Sequence, residues 1–415
     1  MTNAPTTRMA KKVRMRQKSL PQKAVLAELE SRLGKDFNHD SGRIVGSMCT
    51  RPHAFARKVY CRYVEKNLGD SGLFPAVAEL EREAVGMLGE ILGNSHASGH
   101  VTTGGTEANI LALWAAKKKA KKSPCEVIVP ASAHCSFDKA ADLLSIKVVK
   151  APLNGKYQVD VEAVRDAISP NTIAIVGAAG TTGLGVVDPI PELSEIAAEK
   201  DLYLHVDAAF GGFVLPFLKR LRPDLPSFDF SLPQVRSITV DPHKMGLAPI
   251  PAGGIVFRNE NLRRTVSWKI SYLSGGGSEQ ATIVGTRSAA SVTAVWALLR
   301  HLGVEGYTRV VQRCMRLTWR LAREVSAIED LGVVTEPTMN VVGIKSATLD
   351  ISEVARQLRL REWAVSLFPH HIRIVVMPHV KEQHVKELIQ DLKQIATMLR
   401  EKEEKANVRT SIQAH

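Results

Sequence analysis

What the chain lacks narrows it first. Its five cysteines, Cys49, Cys61, Cys125, Cys135 and Cys314, are odd in number, widely spaced and include no CxxC pair. That argues against a disulfide framework or a structural metal and for a reducing cytoplasm. No signal-peptide pattern is present. The uncharged stretch from Ala167 to Val187 carries Pro170, Asn171 and four glycines, which excludes it as a membrane span. Neither GxGxxG nor GxxxxGK[ST] occurs, so dinucleotide and nucleoside-triphosphate sites have no support. No internal repeat is visible.

What is present is a soluble, globular composition: 415 residues, 45% hydrophobic and 23% charged, enough chain for two or three domains. The net charge of +13 invites a nucleic-acid reading. Six of those cations, Arg8, Lys11, Lys12, Arg14, Arg16 and Lys18, sit in an N-terminal stretch without an acid, however, and five more lie in KKKAKK at 117–122. The second group follows the apolar run ILALWAA, where cations complement the negative end of a helix dipole. The charge excess is local, and nucleic acid is not expected as the main partner.

From about residue 100 to 258, short apolar runs (VIVPA, KVVKAP, IAIVGAAG, LYLHVDAAF, SITVDP, GGIVF) alternate with amphipathic segments such as VDVEAVRDAI and PIPELSEIAAEK. Repeated β-α-β with buried strands predicts an α/β fold with a mostly parallel central sheet. Ligands in such sheets sit at the carboxyl ends of the strands. Beyond about residue 290 the pattern changes to a smaller α+β domain. The expected division is a basic, disordered extension at 1–20, an N-terminal helical segment at 21–60, a large domain at 61–290, a small domain at 291–405 and a tail at 406–415.

Four clusters at the strand ends carry chemistry. In VTTGGTEAN, Gly104, Gly105 and Thr106 open an apolar helix, and free amides with a hydroxyl make an anion site, most often for phosphate; Thr106 as a plain N-cap is the competing reading. LYLHVDAAFGG ends a buried strand on Asp207, an acid that needs a cationic partner such as a protonated pyridine, unless it serves as a cap or in an ion pair. SITVDPHKMG delivers His243 and Lys244, and a lysine desolvated there has a lowered pKa suited to imine formation, where a surface lysine would not. VPASAHCSF places His134 after another strand, either stacked on an aromatic cofactor or capping a helix. Together these meet the needs of pyridoxal 5′-phosphate.

With these motifs in hand, the sequence resembles the group II pyridoxal-phosphate-dependent amino-acid decarboxylases of the aspartate-aminotransferase fold (fold type I). The resemblance runs from about residue 25 to 400 through GRIVGSMC, NLGDSGLFP, GGTEAN, HVDAAFGG, SITVDPHKMG, QATIVGTR and RIVVMPH. It implies that Lys244 binds the cofactor aldehyde, Asp207 pairs with the pyridinium and His134 stacks on the ring. Ala209 packs on the opposite face, Gly104, Gly105, Thr106 and His243 hold the phosphate, and Thr182 lies near the ring substituents. Arg373 would receive the substrate α-carboxylate, the competing reading being a surface strand arginine, and Tyr272, on a glycine-flanked loop, would protonate the substrate carbon. The implied reaction is decarboxylation of an L-amino acid in a cytoplasmic homodimer with the site at the subunit interface. Tyrosine (to tyramine, for methanofuran) and aspartate (to β-alanine, for coenzyme A) are the implied substrates, with glutamate an alternative. An aminotransferase or a C–C or C–S lyase shares the lysine, aspartate and phosphate loop, and an RNA-binding protein using the basic tail is the reading from another class.

Overall fold

The computed structural model describes residues 14–274 and 278–413. Most of the basic extension, the three consecutive glycines at 275–277 and the last two residues lie outside the described residues. The helix α1 (Gln22–Leu33) buries none of its residues. After α2 (Ala54–Arg62), α3 (Pro75–Ile91) starts on a proline, whose fixed φ suits a first helical turn, and turns Val77, Ala84, Val85 and Leu88 inward.

The alternating region then folds as β1 (Ser98–Thr102), α4 (Gly105–Ala120), β2 (Glu126–Pro130), α5 (Ser136–Leu144), β3 (Lys147–Ala151), α6 (Val161–Asp166), β4 (Thr172–Ala178), α7 (Ile190–Glu199), β5 (Tyr203–Asp207), α8 (Leu215–Leu218), β6 (Val235–Val240) and β7 (Gly253–Phe257). The seven strands form one sheet in the order β1-β7-β6-β5-β4-β2-β3. β7 runs opposite to both of its neighbours, β1 and β6, while β2 to β6 pair in parallel. Helices cover both faces, so β4 and β7 are buried at every residue, which is why they read as continuous apolar runs. The expected mostly parallel α/β sheet is present, with the GGIVF run supplying the reversed strand.

After α9 (Glu260–Arg264), β8 (Trp268–Ile270) and β9 (Ser278–Gln280) make a hairpin beside the main sheet. The rest comprises α10 (Ala289–Ser326), β10 (Gly332–Val333), β11 (Val341–Lys345), α11 (Ile351–Leu360), β12 (Ser366–Phe368), β13 (His371–Val375) and α12 (Glu382–Gln413). Gly303, at φ 55°, interrupts α10 in a left-handed conformation that glycine adopts without strain. The second sheet, β10-β11-β13-β12, is antiparallel and has its own apolar core around Leu321, Ile344, Leu358, Trp363, Ile374 and Leu392.

The N-terminal segment reaches the site by way of this second sheet. Ile44 bridges to Ala364, the Val375 N–H donates to the Val45 carbonyl and the Gly46 N–H to the Ala364 carbonyl, which carries Met48 to the edge of the main sheet. Among the described residues no helix is long and apolar enough to cross a membrane.

Candidate active site

Five strand ends surround one cavity of about 310 Å³. Thr103 to Thr106 follow β1, Ser132 and His134 follow β2, and Thr181 and Thr182 follow β4. Asp207 and Ala209 stand at the end of β5, and Asp241, His243 and Lys244 follow β6. Gly104, Gly105, Thr106, His134, Thr182, Asp207, Ala209, His243 and Lys244 are thereby brought together from a long span of sequence, at the end of the sheet where ligands bind in this architecture.

One end of the cavity is built for an anion. The N-cap of α4 is Gly104, with no side-chain cap, so Thr106 stands inside the first turn and does not cap it. The amides of that turn and the positive end of the helix dipole face the cavity. Glycine is needed here for close approach: a Cβ on Gly105 would lie 2.8 Å from Asp241 Oδ2, and one on Gly253 would lie 2.4 Å from the Gly104 Cα. His243 is fixed against the same loop, its Nδ1 accepting from the Ala252 N–H at 3.2 Å. The first-turn acid, Glu107, is occupied elsewhere. Its Oε2 accepts from the Thr103 N–H and O–H at 2.8 and 2.7 Å, and its Oε1 from the amides of Ile283 and Val284 at 3.0 and 3.3 Å.

Lys244 is no surface lysine, its side chain being 20% exposed and its Nζ 3.0 Å from Asp241 Oδ2. The expectation of a lowered pKa is corrected by that contact. Burial pushes the pKa down, but Asp241 and then Asp207 more than offset it, and the ammonium is held above the ordinary lysine range. Asp241 itself is 2% exposed, with Oδ1 lacking a hydrogen-bond partner among the described residues. It stands in the same strand-end setting as Asp207, and that setting was the only sign in the sequence that it belongs to the site.

Among the described residues Asp207 forms no direct ion pair. Its Oδ1 accepts from the Ala209 N–H at 3.1 Å and its Oδ2 from Asn109 Nδ2 at 3.0 Å, leaving further lone pairs for a cationic N–H. His134 both lines the cavity and caps the start of α5, its Nδ1 accepting from the Ser136 N–H at 3.2 Å.

The structure does not bring two expected residues into the cavity wall. Arg373, on β13, is buried and not a surface arginine. It donates to the carbonyls of Thr182 and Gly46 at 2.8 and 2.5 Å and to Ser366 Oγ at 3.1 Å, while its Nε has no partner among the described residues. Its contact with the cavity runs through Thr182, and all its hydrogen-bond partners are neutral. Tyr272, between β8 and β9, is 83% exposed and does not line the cavity.

A second cavity of about 750 Å³ continues from the first and shares Ser132, His134, Thr181 and Thr182 with it. Its wall adds Leu153, Tyr157, Leu184, Phe368, Lys345, His370 and His371, and no carboxylate among the described residues.

The first cavity fits pyridoxal phosphate on its own chemistry: an uncapped helix start for a phosphate, an acid with free lone pairs and a buried primary amine. The unpartnered oxygens of Ser132 and Asp241 on the same wall also fit a polar ligand. Residues 6–346 match the pyridoxal-dependent decarboxylase conserved domain. The chain is 50% identical to the L-aspartate/L-glutamate decarboxylase of Pyrococcus horikoshii, over 91% of this chain and 98% of that one. It is equally 50% identical to a protein of Methanothermobacter thermautotrophicus named a probable L-tyrosine/L-aspartate decarboxylase, over 86% of this chain and 99% of that one. Among solved structures, the sphingosine-1-phosphate lyase of Burkholderia pseudomallei superposes with a TM-score of 0.87 at 30% identity, covering 98% of this chain and 97% of that one. The glutamate decarboxylase of Lactobacillus brevis, 22% identical, shares the fold at a TM-score of 0.85, over 94% and 95% of the two chains. The fold is therefore that of the fold-type-I enzymes, the chain belongs to the pyridoxal-dependent decarboxylase family, and its cofactor is pyridoxal 5′-phosphate.

Proposed function

We propose that the chain decarboxylates L-aspartate to β-alanine. The observation that carries the choice of substrate is the second cavity, whose wall offers the Lys345 ammonium and, among the described residues, no carboxylate, so that a side-chain carboxylate meets attractive charge there. Burial holds the His371 pKa below the ordinary histidine value, and that ring contributes no charge to the choice. The apolar part of the same wall, Leu153, Leu184 and Phe368, favours a second reading, L-tyrosine to tyramine. Of the two named relatives, the first carries only acidic substrates in its name, and the second carries both tyrosine and aspartate.

In this reading Lys244 holds the cofactor aldehyde and Asp207 keeps the pyridine nitrogen protonated. His134 and Ala209 take the two faces of the ring, Thr182 lies by its substituents, and Gly104, Gly105, Thr106 and His243 hold the phosphate. Bound pyridoxal phosphate supplies the electron sink for the pair of electrons left when CO2 departs. Arg373 orients the α-carboxylate, a task its planar fork suits; a buried guanidinium with only neutral partners supports this. Asp241 stabilises the ammonium form of Lys244 and can accept a proton from it. Tyr272 is the acid for the substrate carbon, and since its ring stands clear of its own chain's cavity, the proton would be delivered across a homodimer interface. The working unit is a cytoplasmic homodimer, each chain with a large cofactor domain over 61–290 and a small domain over 291–405.

An amino-acid panel assayed for CO2 and amine tests this. β-Alanine from aspartate is expected, with tyramine from tyrosine the outcome that moves the assignment to the second reading. Keto-acid products without CO2 would overturn both.

A further inference from the structure

Beneath the cavity runs a line of buried polar side chains to which the proposed reaction gives no part. The Tyr203 hydroxyl donates to Ser237 Oγ at 2.8 Å, and Ser237 Oγ lies 2.8 Å from His205 Nδ1. His205 Nε2 is 3.1 Å from Asn109 Oδ1, to which the Thr239 hydroxyl also donates at 2.6 Å. Asn109 Nδ2 then donates twice, to Asp207 Oδ2 at 3.0 Å and to Ser136 Oγ at 2.9 Å. Ser136 Oγ ends the line 3.0 Å from His134 Nδ1. Asn109 is 1% exposed, and Ser136, His205, Ser237 and Thr239 are fully buried.

The direction of each proton follows from the partners. A carboxylate only accepts, so the amide nitrogen of Asn109 must face Asp207 and its oxygen must face His205 and Thr239. Burial holds the His205 pKa down at about 4, so the ring is neutral near pH 7. It meets the Asn109 oxygen favourably only with its proton on Nε2. Its Nδ1 is then an acceptor for the Ser237 hydroxyl; the alternative, Nδ1–H toward the Ser237 carbonyl at 3.1 Å, would set the Nε2 lone pair against the Asn109 oxygen. At the other end Ser136 Oγ accepts from Asn109 and turns its own proton toward His134. The Ser136 N–H points at the same nitrogen at 3.2 Å. Two donors on Nδ1 leave the His134 proton on Nε2, the opposite side of the ring, where Cys135 Sγ lies 4.0 Å away.

We propose that Asn109 is a positioning residue that serves both cofactor contacts with one amide: it gives Asp207 a fixed donor and, by orienting the Ser136 hydroxyl, supplies the second of the two donors that hold His134 as the Nε2–H tautomer. The proposal rests on the reading of Asp207 and His134 as cofactor contacts. The outward ring nitrogen of His134 thereby becomes a defined donor, and Asp207 keeps one oxygen pinned while the other lone pairs stay available.

The test uses the full chain. In ¹⁵N-histidine-labelled apoprotein, with His134→Gln identifying the signal, imidazole NMR above the titration range should show the Nε2–H form of His134 alone; an Nδ1–H form in the wild type overturns the line of donors. Titration with pyridoxal phosphate should show cofactor bound about tenfold more weakly in Asn109→Ala, as expected for a lost bond to a charged group. Asn109→Asp, which sets a second carboxylate against Asp207, should be weaker still. Ser136→Ala removes only the side-chain donor to His134 and keeps the backbone N–H, so its cofactor affinity should stay within about threefold of wild type while a minor Nδ1–H component joins the Nε2–H form, and this variant keeps the question answerable if Asn109 variants fail to fold. Affinity unchanged in both Asn109 variants, or lost equally in Ser136→Ala, refutes the role of Asn109. A wild type that binds no pyridoxal phosphate refutes instead the cofactor reading on which the proposal stands.

Discussion

At the residue scale, the site turns on the charge of one amine. Carbonyl capture needs neutral Lys244, yet Asp241 at 3.0 Å and the nearby Asp207 hold its pKa above the ordinary range despite burial. Sequence position alone suggests the opposite sign, because it reveals desolvation at a strand end but not the carboxylate that folds back to meet the amine. The apoprotein should therefore capture pyridoxal phosphate faster as pH rises, as the small neutral fraction of Lys244 grows. In Asp241→Asn the nearer attraction is removed while Asp207 and the burial stay, so the pKa falls and the rate profile moves to lower pH. Stopped-flow absorbance across pH checks this, and coincident profiles for the two proteins would show that Asp241 does not control Lys244. Lys244, Asp207 and the Gly104-Gly105 pair were legible in the sequence because each is an unusual residue type at the end of an apolar run. Asn109, Ser136 and Glu107 were not: polar residues inside ordinary helices become site residues only through the neighbours that folding gives them.

At the scale of elements, the alternation of apolar runs and amphipathic helices was sufficient for the parallel sheet, since period and length are local properties. The reversal of β7 was not, because GGIVF reads the same in either direction and its place between β1 and β6 is decided by pairing partners far away in sequence. The same holds for the tie between the anion loop and the segment after β9. Glu107, in the first turn of α4, accepts from the amides of Ile283 and Val284, and Arg287, at the end of that segment, donates to Glu81 at 2.7 Å. Two ion-assisted anchors thus hold the chain between the hairpin and α10 against the cofactor side of the sheet. Releasing the first should loosen that segment without touching the core. In Glu107→Ala, limited proteolysis within 278–287 should run about tenfold faster, the effect of roughly 1.4 kcal/mol in a local opening equilibrium. Glu107→Gln, which keeps one carbonyl acceptor, should fall between. Equal cleavage rates in all three proteins would mean that other contacts fix the segment.

At the scale of the whole molecule, the N-terminal helix shows what a single chain leaves incomplete. α1 buries none of its residues, while Val25, Leu26, Leu29 and Leu33 make one apolar face, exposed by 41 to 60%, with Leu20 and Phe37 flanking it. A twelve-residue helix is marginal in water by itself, and most of its stability has to come from packing. The described part of the same chain does not cover this face, and Tyr272 likewise stands away from the cavity it is proposed to serve. One arrangement answers both observations: a second copy that covers α1 and receives Tyr272 at its own site. Each fully buried side chain of this kind contributes ~2 kcal/mol, so a chain beginning at Asn38 should dissociate at least about 100-fold more readily than the intact protein. Leu26→Asp with Leu29→Asp should do the same without shortening the chain. Sedimentation across a concentration series measures it. Identical dissociation constants would remove α1 from the interface, and an intact chain that stays monomeric throughout would remove the homodimer, and with it the delivery of the Tyr272 proton from a partner.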